Sequence, residues 1–214
     1  METNNNKGYY DIEIDFDKAL VDGGMVEELF YLKDLKQRKL FLNMEIDQIS
    51  VADIARHILQ YNREDMDIAP TDRQPILLYV VSNGGEVDSG FELIDVIQSS
   101  KTPVYTINLG YQYSMGFLIG LAGHKRFATR NAKYLMHDGS NFVYNSGAKA
   151  QDQMEFNRKV EERVKQYILS RSNVTSEEYD SKLRVEWYLF ADEAKEKGFV
   201  DCIIGVDCDI DAVI

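Results

Sequence analysis

At 214 residues with 44% apolar side chains, the chain can form one large domain or two small ones around a sizeable core. Its formal net charge of −12 argues against a general nucleic-acid binder, which needs a basic stripe, and no run reaches the ~18 apolar residues of a membrane span. Two cysteines, Cys202 and Cys208, with no histidine nearby, argue against zinc and for free thiols in a reducing, cytoplasmic setting without a disulfide framework.

Residues 1–30 read as a peripheral N-terminal arm. Met1 to Lys7 is polar with no apolar segment behind it, so no secretory signal is expected. Tyr10 to Phe16 alternates apolar and acidic residues, as a half-buried strand or an arm does. From residue 31 the pattern is that of a single domain. Lys39 to Met44 reads as a strand, and Val51 to Tyr61 has helical apolar spacing with Ser50 as its cap. Asn62 to Gln74 is a charged loop. Pro75 to Val81 is a doubly buried strand, broken by Ser82-Asn83-Gly84-Gly85, and Ser89 to Ile97 returns to helical spacing. Pro103 to Leu109 is a strand, Ser114 to Ala122 a helix, and Ala132 to Met136 a strand. Ala148 to Ser170 is a long charged helix whose thin apolar stripe (Phe156, Val160, Val164, Tyr167, Ile168) suits packing against another subunit or a solvated surface. Buried strands alternating with helices predict a parallel α/β sheet, whose working groups sit on loops beyond the strand C-termini.

Three such loops stand out: Ser82–Gly85, Gly110–Ser114 and His137–Gly139. Ser114 lies where a strand gives way to an apolar helix. A hydroxyl there faces the positive helix end and free backbone N–H groups, as an acyl-transfer nucleophile requires. Serine is equally a common N-cap, so the motif alone is weak. Gly84-Gly85 lacks Cβ atoms and lets an N–H approach a carbonyl, or else forms an ordinary turn. Only three histidines exist, His57, His124 and His137, and His137 ends a strand where a general base could stand. Glu186, in Lys-Leu-Arg-Val-Glu-Trp-Tyr, could orient a histidine, although pattern alone favours a surface carboxylate.

From about Gln37 to Ile204 these positions resemble the ClpP family, the proteolytic subunit of the ATP-dependent Clp protease. Ser82-Asn83-Gly84-Gly85 with Gly90 is similar to the family's glycine loop, and Ser114-Met115-Gly116 with Leu121-Ala122-Gly123 to its nucleophile segment. Lys125-Arg126-Phe127-Ala128, Asn131 and Met136-His137 match the histidine segment, and Ala191 to Asp201 matches the closing E-A-x-x-x-G motif. The resemblance implies a ClpP/crotonase-type fold with stacked parallel sheet, flanking helices and a projecting handle helix at about 148–170. It implies a serine endopeptidase with Ser114 as nucleophile, His137 as base, Gly85 and Met115 N–H groups as oxyanion hole, and no metal or cofactor. Glu186 stands where the family has an aspartate, and Asp180 is the second candidate. The implied partners are polypeptide substrates, further copies in heptameric or double-heptameric rings, and an AAA+ unfoldase such as ClpX, ClpA or ClpC, with no nucleic acid and no membrane. Tyr113, in place of a small residue, and Asp138-Gly139, in place of Gln-Pro, mark a divergent member. A catalytically impaired ring subunit and a crotonase-type acyl-CoA enzyme are the alternatives.

Overall fold

Apolar runs become five strands: β1 (Lys39–Leu42), β2 (Ile76–Val80), β3 (Val104–Asn108), β5 (Lys125–Thr129) and β8 (Cys202–Ile204). The computed structural model describes residues 26–139 and 146–214, and orders these strands β1-β2-β3-β5-β8, all parallel. Every residue of β2 is buried, as expected of a strand covered on both faces. A smaller sheet has the order β4 (Tyr111–Tyr113), β6 (Lys133–Met136), β7 (Trp187–Phe190); β4 and β6 are parallel, β6 and β7 antiparallel. The proposed strand or arm over Tyr10 to Phe16 lies outside the described residues.

Helices α1 (Val26–Lys36), α2 (Gln48–Glu64), α3 (Val87–Ser99) and α4 (Met115–Leu121) precede the long α5 (Gly147–Ser170), and α6 (Ser176–Lys182) and α7 (Ala191–Glu196) follow. α1 crosses residue 30, the expected edge of the arm, and is tied to α2 by the Tyr61 hydroxyl donating to the Leu35 carbonyl at 2.6 Å. Arg38, left-handed at φ 59°, turns the chain from α1 into β1. α4 is buried along its whole length, and its Phe117 packs edge-on against Phe199 and Tyr134 in the main core.

The expected loop Gly110–Ser114 holds a strand, β4, because Tyr111 to Tyr113 pair with Lys133 to Leu135, and two further expectations change. The cap of α2 is Asp47, not Ser50. Asp47 Oδ1 accepts from the Ser50 N–H at 2.8 Å while Ser50 Oγ accepts from the Asp47 N–H at 3.0 Å, a reciprocal pair. The apolar stripe begins only at Val51 because the first turn faces solvent, with Ile49 82% exposed, so periodicity placed the start too late. The cysteines are not free: Cys202 and Cys208 are joined, their Cα atoms 6.2 Å apart. The Gly205 N–H donates to the Cys208 carbonyl at 2.8 Å and folds the turn back along β8, which composition could not reveal.

Candidate active site

Ser114 ends β4 and opens α4. Its carbonyl accepts the first helical bonds from Phe117 and Leu118, and its N–H donates to the Leu135 carbonyl of β6 at 2.9 Å. Yet its side chain makes no capping bond, and its backbone stands at φ 52°, ψ −123°. A non-glycine residue at positive φ is strained by about 1–3 kcal/mol and persists only where its surroundings impose it. Among the described residues the hydroxyl caps nothing, so capping does not account for a serine here.

The glycine loop supplies part of that imposition. Gly84 has φ 106°, and a Cβ on it would lie 2.8 Å from Ser114 Cβ and 3.1 Å from the Met115 nitrogen. Gly85 has φ 151°, and a Cβ there would lie 2.1 Å from the Ile46 carbonyl oxygen. Ile46 donates to the Gly84 carbonyl at 2.9 Å and accepts from the Glu86 N–H at 2.8 Å. In a parallel pairing that pattern leaves the N–H of Gly85 directed away from Ile46. On its other side Ser82 pairs with Gln112 of β4, and its hydroxyl donates to the Met44 carbonyl at 2.6 Å. The loop is thus wedged against the Ser114 Cβ, the Tyr113 carbonyl and the Met115 nitrogen.

His137 follows β6 and lines a cavity of about 200 Å³ together with Ser114, Met115, Asp138 and Gly139. Val160, Glu161 and Val164 of α5 complete one wall, with Leu183 and Arg184 beyond α6. Among the described residues no hydrogen bond joins His137 to Ser114. Burial, reinforced by the charges of Asp180, Glu161, Glu162 and Asp138, raises the Tyr179 phenol, which also borders the cavity. The other histidines are engaged elsewhere. His57 lies 3.2 Å from the Tyr31 hydroxyl between α1 and α2, and His124 Nδ1 accepts from the Val104 N–H at 3.1 Å.

Of the two acids, Asp180 is held by Lys165 of α5 at 2.7 Å and 2.9 Å. Glu186 precedes β7. The antiparallel register ends at Met136 opposite Trp187, and one further step sets His137 opposite Glu186. The exposed Glu186 carboxylate accepts from the Tyr188 hydroxyl at 2.8 Å and is not bonded to His137. Tyr113 does not border the cavity; its ring packs with Tyr111 and, edge-on at 6.0 Å, with Tyr188. Tyr188 escaped the sequence reading, although its place two residues beyond Glu186 on a strand was the available signal.

The long helix divides along its length. Its end docks, with the Tyr167 hydroxyl donating to the Leu118 carbonyl at 3.0 Å and Ile168 fully buried, while Met154 and Phe156 stay exposed near its start. Among the described residues no helix is long and apolar enough to cross a membrane.

With this geometry in view, the comparisons with known proteins agree. The family model for Clp protease matches residues 24–207. The chain is 30% identical over 186 residues to the "ATP-dependent Clp protease proteolytic subunit 2" of Treponema pallidum (strain Nichols), spanning 86% of this chain and 90% of that protein. It is 33% identical over 177 residues to the "ATP-dependent Clp protease proteolytic subunit 1" of Streptomyces avermitilis, spanning 79% and 76%. The chain belongs to the Clp protease family, and its helix-flanked parallel sheet is that family's fold.

Proposed function

We propose that this protein is a serine endopeptidase that cleaves unfolded polypeptides through an acyl-enzyme. Ser114 Oγ attacks the peptide carbonyl while His137 takes its proton, and the carbonyl oxygen becomes an oxyanion between the N–H groups of Gly85 and Met115. Collapse expels the amine, protonated by His137, and leaves an ester on Ser114. Water activated by His137 then hydrolyses the ester. Glu186 holds the imidazole and stabilises its charged form. The observation that carries this reading is Ser114 itself: a strained residue whose hydroxyl caps nothing, packed against Gly84 and sharing a cavity with His137.

Family membership supports the rest: closed rings of this chain, heptameric or doubly so, fed by an AAA+ unfoldase of the ClpX, ClpA or ClpC kind. The exposed Met154 and Phe156 of α5 suit a contact between copies. The test combines fluorophosphonate labelling with native sizing. Labelling that is lost in Ser114→Ala, on a ring-sized particle, is expected; labelling that persists in that variant overturns the assignment.

One observation favours a second reading, a catalytically impaired ring subunit: the Glu186 carboxylate is on Tyr188 and not on His137. Rings that neither label nor cleave a short fluorogenic peptide would decide for it.

A further inference from the structure

Glutamate in place of aspartate adds one rotatable bond to the acid that would steady His137, and a carboxylate that wanders steadies nothing. The small sheet contains a remedy. Residues directly opposite in an antiparallel pair share a face, with Cβ atoms roughly 5 Å apart. Continued one step past its last pair, Met136 opposite Trp187, the register brings His137 and Glu186 side by side, with Leu135 and Tyr188 as the neighbouring pair on the same face. Tyr188 Oη donates to Glu186 Oε2 at 2.8 Å, which leaves Oε1 unengaged by that bond. The Tyr188 ring is itself fixed edge-on against Tyr113, whose backbone leads into Ser114.

We infer that Tyr188 is a positioning residue: its phenol anchors one oxygen of Glu186 so that the other can orient His137. The inference rests on the proposed triad. It links two positions that otherwise look like unrelated departures, with Tyr113 bracing Tyr188 and Tyr188 bracing Glu186. Hydrogen bonding to Glu186, then burial and the Glu186 charge, push the Tyr188 phenol up, so it remains a protonated donor at neutral pH.

The experiment is a double-mutant cycle on the assembled protein, read with a short fluorogenic peptide. Tyr188→Phe keeps the ring and is expected to lower kcat about tenfold with KM changed less than about twofold, as loss of orientation without loss of binding requires. Asp at position 186 cannot span to the phenol. In a Glu186→Asp background the same Tyr188→Phe change should therefore cost less than about twofold. Equal losses in both backgrounds would make Tyr188 a packing residue and overturn the inference, as would an unchanged or raised kcat in Tyr188→Phe alone. Glu186→Gln separates the two levels. If it leaves kcat intact, the triad reading itself fails; if it lowers kcat while Tyr188→Phe does not, only the anchor fails. Native size and thermal midpoint, expected to match the parent for each variant, identify any variant that has lost its fold.

Discussion

The two sheets divide the work differently. In and around the five-stranded sheet, buried polar groups are consumed by the fold. Thr106 Oγ1 donates to the Gly120 carbonyl at 2.6 Å, and Asn108 donates to the Lys133 carbonyl at 3.1 Å while accepting from the Gly110 N–H at 2.9 Å. The three-stranded sheet presents Ser114 after β4, His137 after β6 and Glu186 before β7 at one end. Among the described residues neither the Ser114 hydroxyl nor His137 forms a hydrogen bond. The large sheet specifies one arrangement by satisfying its groups. The small one keeps polar groups available and lets neighbours hold them, which is where backbone strain can be kept.

The largest expected effect tests the small sheet. Ser114→Ala should lower peptide hydrolysis at least about 10⁴-fold with little change in stability, because the deleted hydroxyl does no capping. Ser114→Gly should be equally inactive yet more resistant to urea by about 1 kcal/mol, as glycine accepts a positive φ without strain. A less stable glycine variant would contradict the claim of stored strain. Where the sheets meet, Gly85→Ala should cost about 3 kcal/mol or more, since its Cβ would overlap the Ile46 carbonyl at a left-handed φ. Urea midpoints within error of the parent would mean that this junction yields more easily than the contact distance implies.

What could be read without coordinates cuts across that division. Three strands of the large sheet were legible, because doubly buried strands such as Ile76–Val80 are near-continuous apolar runs, whereas β5, which opens on Lys125-Arg126, and the three-residue β8 were not. Of the small sheet only β6 was legible: β4 is three residues long, and β7 (Trp-Tyr-Leu-Phe) has no polar alternation to mark its faces. Ser114, His137 and the glycine loop were legible as strand-end residues. That Glu186 lies just before the last pair of the β6–β7 ladder and His137 just after it, and that Glu186 is bonded to Tyr188, depends on strand register, which a single sequence does not encode at that range. The positive φ of Ser114 was likewise invisible, since serine has no intrinsic preference for it.

The next effect belongs to the rim of the large sheet. Arg38, entering β1, makes two 2.6 Å bonds to the buried Asp65, which also accepts from Thr102 at 2.8 Å. Burial alone would raise the Asp65 carboxyl, but the bonds from Arg38 and Thr102 outweigh it and hold the group below the usual carboxylate range. A depressed carboxyl contributes stability above its unfolded value and loses it as pH falls through the folded one. Stability should therefore decline on acidification below the ordinary aspartate range. Asp65→Asn should cost about 3 kcal/mol at neutral pH, because it leaves the half-buried Arg38 guanidinium without its counter-ion, and should flatten that acid limb. An unchanged slope in chemical denaturation across pH would remove Asp65 from the account.

The smallest expected effect lies at the other edge of the large sheet. The Cys202–Cys208 bond spans a sequence separation of six, and closing so short a loop is worth about 2 kcal/mol in chain entropy. Neither cysteine borders the Ser114 cavity. Reduction, or Cys208→Ser, should therefore lower the thermal midpoint while peptide hydrolysis at room temperature stays within about twofold of the parent. The turn retains other ties, including the Asp207 carboxylate accepting from the Ile203 N–H at 3.0 Å, so β8 should loosen without leaving the sheet. An unaltered midpoint would show that the bond does not constrain the unfolded chain. A loss of hydrolysis without unfolding would show that the edge of the large sheet is coupled to Ser114, and the division between the two sheets would fail.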